Sequence, residues 1–275
     1  MHNAAIDALG LNWQYLAFHV KASNLPEAVT GAAAMGYVGL NLTVPHKNMA
    51  LKVVDHVDVS AKQWQAINTI VFEGQDTDGK WHPVGQSDKP YAKVRSTGYN
   101  TDAEAIITAL KNDLHFDLTN TTIAVAGMGG AGRVAALTLS QHPIKKLYLI
   151  NRTQSKADET AMVIRAQNKA IQVIPDYPKE NIDLLINGTS LGLKPDDGLP
   201  IDAHKLPLKN VGAVFDMIYQ PAQTALLKAA AEAGCKTVNG LGMLLYQGAE
   251  ALALWTGAAP PVTVMRDALK SHIYG

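Results

Sequence analysis

The sequence predicts a two-domain α/β protein whose second half is a parallel sheet with helices on both faces. Three observations carry this. At 275 residues the chain is long enough for two modest domains, because single hydrophobic cores stop growing economically near this size. From residue 122 onward, short apolar runs alternate regularly with helical sequence. The 47% apolar and 17% charged content is that of an ordinary globular protein, so the chain should fold to a compact body.

Taken in order, apolar residues recur at helical spacing over residues 4–9 and again over 25–35, where Pro26 and Glu27 suit a first helical turn. Residues 15–20 and 39–44 are β-branched or aromatic and read as strands. The first hundred residues thus alternate helix and strand. Between residues 72 and 99 the sequence turns polar and rich in Gly, Asp and Lys, which predicts a long hairpin or surface loop. Strands follow at 122–126, 146–150, 182–187 and 213–218, with helical sequence between most of them. A helix at 223–233, a short strand at 237–239 and a helix at 243–255 complete the pattern. The expected division is residues 1–102, completed by the C-terminal helices at about 243–275, and residues 103–242.

Charge and cysteine content narrow the function. The 24 Lys and Arg balance the 24 Asp and Glu, so no net field draws the chain to nucleic acid or an anionic membrane. Any anionic ligand needs a local site. Cys235 is the single cysteine, which excludes an intramolecular disulfide and a multi-cysteine metal centre, and no metal is expected. The longest apolar stretch, residues 241–255, is broken by Gly242, Gln247, Gly248 and Glu250, which argues against a membrane span. Met1 leads into helical sequence without a basic n-region or cleavage site. The expectation is a cytoplasmic protein, monomer or homodimer.

The strongest local signal is Gly127-Met128-Gly129-Gly130-Ala131-Gly132, set between the strand at 122–126 and helical sequence. This is the context that a dinucleotide-binding domain of Rossmann type requires, although bare glycine triplets also make structural turns. Gly127 permits the tight turn, Gly129 removes a side chain where a pyrophosphate approaches the backbone, and Gly132 lets helix and strand pack closely. The helix N-terminus offers N–H groups and partial positive charge to the phosphates. About twenty residues on, where an NAD enzyme carries an acidic residue for the ribose 2′-hydroxyl, stands Asn151-Arg152-Thr153. Arg152 can grip a 2′-phosphate bidentately, Thr153 can add a hydroxyl, and Lys156 lies one helical turn further on, so NADP is expected over NAD.

Four further segments set unusual polar residues at strand ends. They are Asn41-Leu42-Thr43-Val44-Pro45-His46-Lys47, Ala66-Ile67-Asn68-Thr69, Gly98-Tyr99-Asn100-Thr101-Asp102, and Asn187-Gly188-Thr189-Ser190-Leu191-Gly192. Each taken alone is ordinary loop chemistry. In order and in most spacings they resemble the shikimate dehydrogenases, a family with Asn-x-Thr-x-Pro-x-Lys, then Asn-Thr, then Gly-Tyr-Asn-Thr-Asp ahead of its glycine turn. The second half is similar to that family in Asn151-Arg152-Thr153, in Phe215-Asp216-Met217-Ile218-Tyr219 with Pro221, in Gly240 to Gln247, and in Trp255-Thr256-Gly257. The resemblance covers nearly the whole chain.

The resemblance implies an N-terminal substrate domain, a C-terminal NADP domain, and reversible reduction of 3-dehydroshikimate to shikimate by NADPH. It implies Lys47 and Asp102 as the catalytic pair, both touching substrate. Asn41, Thr43, Asn68, Tyr219 and Gln247 would hydrogen-bond the ring hydroxyls, while Thr189, Met217 and Gly240 would line the cofactor pocket. The chemistry suits these residue types. Hydride delivery to a ketone builds negative charge on its oxygen, and an ammonium beside it stabilises that charge and can supply a proton. Asp102 would either keep Lys47 oriented and charged or share the proton transfer, and the sequence leaves both open. Polar pocket residues reject substrates that lack the matching hydroxyls, because they would be left buried and unpaired.

The pattern departs from the family twice. Family members begin with a strand and a Ser-x-Ser segment that grips the substrate carboxylate, just before a Met-His-Asn like Met1-His2-Asn3, whereas this sequence opens at that Met. The expectation is a start placed too late or a shortened chain; the alternative, a complete sequence, would leave the neighbouring strand as an exposed edge and the carboxylate weakly held. The stretch between Asn68 and Asp102 is also longer than usual. Its Lys80, Trp81, Lys89, Lys93 and Arg95 read as a solvated loop, with a surface hairpin or partner contact as the alternative. Beside the leading reading stand a quinate/shikimate dehydrogenase or paralogue on a related cyclic polyol acid, and an NADP-binding protein without turnover.

Overall fold

The computed structural model describes residues 1–86 and 91–275. The chain divides into two compact units, one of Met1–Asp102 with Leu245–Ile273 and Gly275, the other of Ala103–Leu244 with Tyr274.

The first unit runs α1 (His2–Ala8), α2 (Leu25–Ala34), β1 (Gly39–Asn41), α3 (His46–Met49), β2 (His56–Val57), α4 (Val59–Trp64), β3 (Thr69–Gln75), β4 (Trp81–Pro83) and β5 (Val94–Tyr99). Local chemistry sets the ends of these elements. Helix α4 starts where the Asp58 carboxylate accepts the Ser60 N–H at 2.9 Å, and stops where Gln65 turns left-handed at φ 53. The sheet order is β1-β3-β5-β2, with β4 also paired to β3. Strands β1, β4 and β5 run antiparallel to β3, and β2 runs parallel to β5. Leu25 and Val29 of α2 pack on Ile67, Ile70 and Phe72 to form the core.

Two expectations change here. Residues 15–20 belong to no strand, because β-branched and aromatic content makes a strand only where a ladder partner exists. The Tyr15 backbone pairs instead with a side chain: its N–H donates to Asn3 Oδ1 at 2.7 Å, and its carbonyl accepts from Asn3 Nδ2 at 3.0 Å. The strand expected over 39–44 ends at Asn41, since the chain turns where the His46 N–H reaches the Thr43 carbonyl at 2.8 Å. Strand β1 lies at one end of the sheet, with β3 as its ladder partner. In the polar stretch the expected hairpin pairing is present and its arms are largely buried, β3 and β5 pairing from Thr69 opposite Tyr99 to Gly74 opposite Val94. Lys80 and Lys93 are exposed, and Arg95 lies 4.5 Å over the Trp81 ring while pairing with Glu73 at 2.7 Å. Lys89 lies outside the described residues.

The second unit runs α5 (Asp102–Asn112), β6 (Thr122–Ala126), α6 (Gly130–Leu139), β7 (Lys146–Ile150), α7 (Gln154–Gln167), β8 (Gln172–Ile174), β9 (Ile182–Asn187), β10 (Val211–Asp216), α8 (Ala225–Glu232) and β11 (Lys236–Val238). Helices α9 (Leu241–Thr256) and α10 (Val262–Tyr274) complete the chain. All pairs in the second sheet are parallel, in the order β11-β10-β9-β6-β7-β8. That is the doubly wound Rossmann order, with its switch point between β6 and β9. Every residue of β6 is buried, as in a strand covered on both faces. Leu226 and Leu227 of α8 pack on Leu185 and Val214. The strand expected over 213–218 ends at Asp216, whose carboxylate accepts the Ile218 N–H at 3.1 Å and turns the chain.

Candidate functional site

In the first unit, the register of the sheet gathers the polar residues. Asn41 lies opposite Thr69, and Thr69 opposite Tyr99, so the residues flanking this row, Asn68 and Asn100 to Asp102, meet at one end of the sheet. Lys47 projects from α3, and its Nζ donates to Asp102 Oδ2 at 2.8 Å. The Lys47 side chain is 30% exposed and that of Asp102 16%, so the ammonium is placed to receive an incoming oxygen. A pair this exposed adds roughly 1 kcal/mol or less to stability, and its consequence is placement.

The carboxylate is held from behind. Asp102 Oδ1 accepts from Asn68 Nδ2 at 2.9 Å, and the Asp102 N–H donates to Asn100 Oδ1 at 3.1 Å. Asn68 is buried, its Oδ1 accepting the Thr101 N–H at 2.9 Å and the Thr69 hydroxyl at 3.1 Å. Gln247 of α9 joins this cluster, with Oε1 3.5 Å from Asn68 Nδ2 and its carbonyl accepting the Thr101 hydroxyl at 3.0 Å. Lys47, Asn68, Asp102 and Gln247, expected to act together, therefore converge within one unit. Thr43 is exposed in the turn before α3.

Asn41 and Tyr219 were also expected at the substrate. Asn41 donates its amide hydrogens to the Asn68 carbonyl at 3.3 Å and Thr69 Oγ1 at 3.0 Å, and its Oδ1 accepts the Tyr15 hydroxyl at 2.9 Å. Both Asn41 amide hydrogens are thus held by the fold. Tyr219 belongs to the second unit, where its carbonyl accepts the Tyr274 hydroxyl at 2.6 Å.

The glycine turn of the second unit works by what it lacks. Gly127 has φ +92, and its N–H donates to the Ile150 carbonyl at 2.7 Å. A Cβ at Gly132 would lie 1.8 Å from the Gly127 carbonyl oxygen, so that position admits only glycine. Cβ atoms at Gly129 and Gly130 would meet nothing within 4 Å, leaving their backbone open to a ligand. No side chain caps α6 at Gly129, so its first N–H groups are available to an anion. An open backbone cradle at a helix start fits a pyrophosphate. Met128 is buried and Ala131 exposed.

Asn151 ties the turn to β7: its Oδ1 accepts the Met128 N–H at 2.8 Å, and its Nδ2 donates to the Thr153 carbonyl at 2.8 Å. Arg152, Thr153 and Lys156 are exposed, and residues 151–156 hold no carboxylate. That arrangement suits a 2′-phosphate. Thr189 is fixed by Asn187, whose Oδ1 accepts its N–H at 3.0 Å and its hydroxyl at 2.8 Å. Asn187 Nδ2 in turn donates to the buried Asp216 at 2.9 Å, which also accepts the Thr224 hydroxyl at 2.6 Å. Burial pushes the Asp216 carboxyl up, against these hydrogen bonds. Gly240 lets the chain pass close to Met217, since a Cβ there would lie 2.1 Å from the Met217 carbonyl oxygen. The expected cofactor residues thus gather beyond the carboxyl ends of β6, β7, β9 and β10.

Asn187, Asp216 and Thr224 had no predicted role of their own, although for Asn187 and Asp216 a polar residue closing an apolar strand was an available signal. Tyr15 offered none, because its hydroxyl partner lies 26 residues away. Among the described residues, no helix is long and apolar enough to cross a membrane.

Residues 1–70 match the family described as shikimate dehydrogenase substrate binding domain, and residues 240–270 match shikimate 5'-dehydrogenase C-terminal domain. The shikimate dehydrogenase (NADP(+)) of Methanopyrus kandleri is 35% identical over 280 residues, covering 99% of this chain and 90% of the relative. A crystal structure of a shikimate dehydrogenase in complex with NADP+ has a TM-score of 0.83 at 34% identity, covering 100% of this chain and 90% of the other. The shikimate 5-dehydrogenase of Thermus thermophilus in complex with NADP(H) and shikimate has a TM-score of 0.79 at 31% identity, covering 98% and 92%.

Proposed function

The chain belongs to the shikimate dehydrogenase family, and on that premise we propose that it catalyses the NADPH-dependent reduction of 3-dehydroshikimate to shikimate and the reverse reaction. The observation that carries this reading is the partly exposed Lys47–Asp102 pair, set among the polar groups of Asn68, Thr101 and Gln247. NADPH, when bound, supplies the hydride. As the ketone carbon is reduced, charge gathers on its oxygen, and the Lys47 ammonium stabilises that charge and gives its proton to the oxygen. Asp102 keeps Nζ in place through Oδ2 while Asn68 holds Oδ1, so the carboxylate does not swing with its partner. In the oxidative direction neutral Lys47 takes the hydroxyl proton. Asn68, Gln247, Thr43 and Tyr219 serve the ring hydroxyls.

For the cofactor, the backbone from Gly127 to Ala131 receives the pyrophosphate. Arg152, Thr153 and Lys156 receive the 2′-phosphate, with Asn151 fixing the turn, and Thr189, Met217 and Gly240 line the nicotinamide side. We place the enzyme in a reducing, cytoplasmic compartment, as a monomer or homodimer, a setting that suits its lone buried Cys235 thiol. The test is steady-state oxidation of NADPH with 3-dehydroshikimate, repeated with NADH, and the reverse reaction with shikimate and with quinate. Turnover that favours NADPH and shikimate supports the reading. Cofactor binding without turnover on either acid would overturn it.

A further inference from the structure

We propose that Tyr15 and Thr69 are positioning residues for the Lys47–Asp102 pair, acting through a one-way chain of hydrogen bonds that ends on the Asp102 carboxylate. This rests on the reading of that pair as the proton-donating centre. The Tyr15 hydroxyl donates to Asn41 Oδ1 at 2.9 Å, and Asn41 Nδ2 donates to Thr69 Oγ1 at 3.0 Å. The Thr69 hydroxyl donates to Asn68 Oδ1 at 3.1 Å, and Asn68 Nδ2 donates to Asp102 Oδ1 at 2.9 Å. The other carboxylate oxygen holds Lys47 Nζ.

Backbone groups of fixed polarity set the direction of both amide links. The Thr101 N–H can only donate, so the Asn68 atom it meets at 2.9 Å is Oδ1, and Nδ2 must face Asp102. The Asn68 carbonyl can only accept, so the Asn41 atom facing it at 3.3 Å is Nδ2, and Oδ1 must face Tyr15. The phenol is then the donor. Thr69 receives one hydrogen from Asn41, and its own proton goes to Asn68 Oδ1 at 3.1 Å, the nearer of its two acceptors, the other being Thr101 Oγ1 at 3.4 Å. Thr69 and Asn68 are buried at 0% and 2% exposure, which shields these links from bulk water.

The head of the chain is anchored as firmly as its end. The Tyr15 ring stacks on His2 at 4.2 Å with an interplanar angle of 10°, and His2 Nε2 meets the Gly248 carbonyl at 3.1 Å. Burial raises the Tyr15 phenol above its usual range, so it keeps the proton it donates. Hydrogen bonds aligned head to tail polarise one another, so each upstream donor strengthens the Asn68 bond to Asp102. The carboxylate is thereby favoured as an anion and fixed in orientation, and Lys47 Nζ with it. Reaction rates are steep in such placement.

The experiment compares Thr69→Val, Thr69→Ser and Tyr15→Phe with the parent and with Lys47→Ala. Thr69→Val keeps the shape and removes the hydroxyl, and should lower kcat about tenfold. Tyr15→Phe should lower it about threefold. KM for NADPH should stay at the parent value in both, and Thr69→Ser should restore kcat. A second readout needs no turnover: in the ligand-free protein, the Asn68 side-chain amide protons should move upfield in NMR spectra of Tyr15→Phe, although Tyr15 does not touch Asn68. Parental kcat in both Thr69→Val and Tyr15→Phe, or an unmoved Asn68 resonance, overturns the relay. A nearly unchanged kcat in Lys47→Ala instead overturns the underlying reading, and the Asn68 resonance then still decides the relay. If Thr69→Val fails to fold, Tyr15→Phe carries both readouts.

Discussion

Around Lys47 the first unit works with side chains, whereas around Gly127 the second works mainly with backbone and with side chains that are missing. Asn68 alone touches Thr69, Thr101, Asp102 and Gln247, each through an atom whose polarity is determined. At Gly129 and Gly130 a Cβ would meet nothing, and at Gly132 it would meet the Gly127 carbonyl. The difference follows from what each region has to recognise. A small ring with several hydroxyls is told from its relatives only by directed donors and acceptors. A diphosphate needs N–H groups and close approach. The first unit should therefore suffer when side chains are removed, and the second when they are added.

The largest effect should come from adding atoms at Gly132. Gly132→Val drives a branched side chain into the Gly127 carbonyl and the Gly188 backbone, and should cost about 4 kcal/mol of stability together with NADP binding. A urea midpoint and an NADP titration check both, and a tolerated valine would break the contrast. Next comes the one place where the second unit uses charge. Arg152→Ala should weaken NADP binding about a hundredfold while leaving NAD binding nearly unchanged, as isothermal titration would report. Equal losses for both cofactors would remove Arg152 from the 2′-phosphate.

A smaller effect tests the packing behind the first site. Burial lowers the His2 imidazole from 6.5 to about 4. Between those values the unfolded chain binds a proton that the folded chain refuses. Stability is thus intact above pH 6.5 and is lost as the pH falls through this window, by about 2 kcal/mol between pH 7 and pH 5. His2→Phe keeps a ring against Tyr15 and should flatten that part of the pH dependence in urea unfolding. An unchanged slope would place the titration elsewhere.

The second unit was the more legible in sequence, and for a physical reason. Parallel strands buried on both faces are short apolar runs, so β6, β7 and β9 stand out by composition, and the glycines between β6 and α6 mark the turn. The first unit hides its strands. Arms β3 and β5 are punctuated by Glu73, Arg95, Ser96 and Thr97, polar residues that pair with one another or with Asp55 once folded. Residues 15–20 show the opposite failure, strand-like composition without a partner. At the site, Lys47, Asn68 and Asp102 were legible through their motifs. Tyr15 and the turn of the Asn41 amide toward the fold were not, because tertiary pairing decides which way an amide faces.

Lys47 is expected to perform chemistry that the cofactor turn does not share. The most direct test is Lys47→Ala, with kcat for 3-dehydroshikimate reduction and the Kd for NADP measured on the same preparation. The expected result is a kcat lower by about a thousandfold with the NADP Kd within about a factor of two of the parent. A kcat that stays within about tenfold of the parent would contradict it.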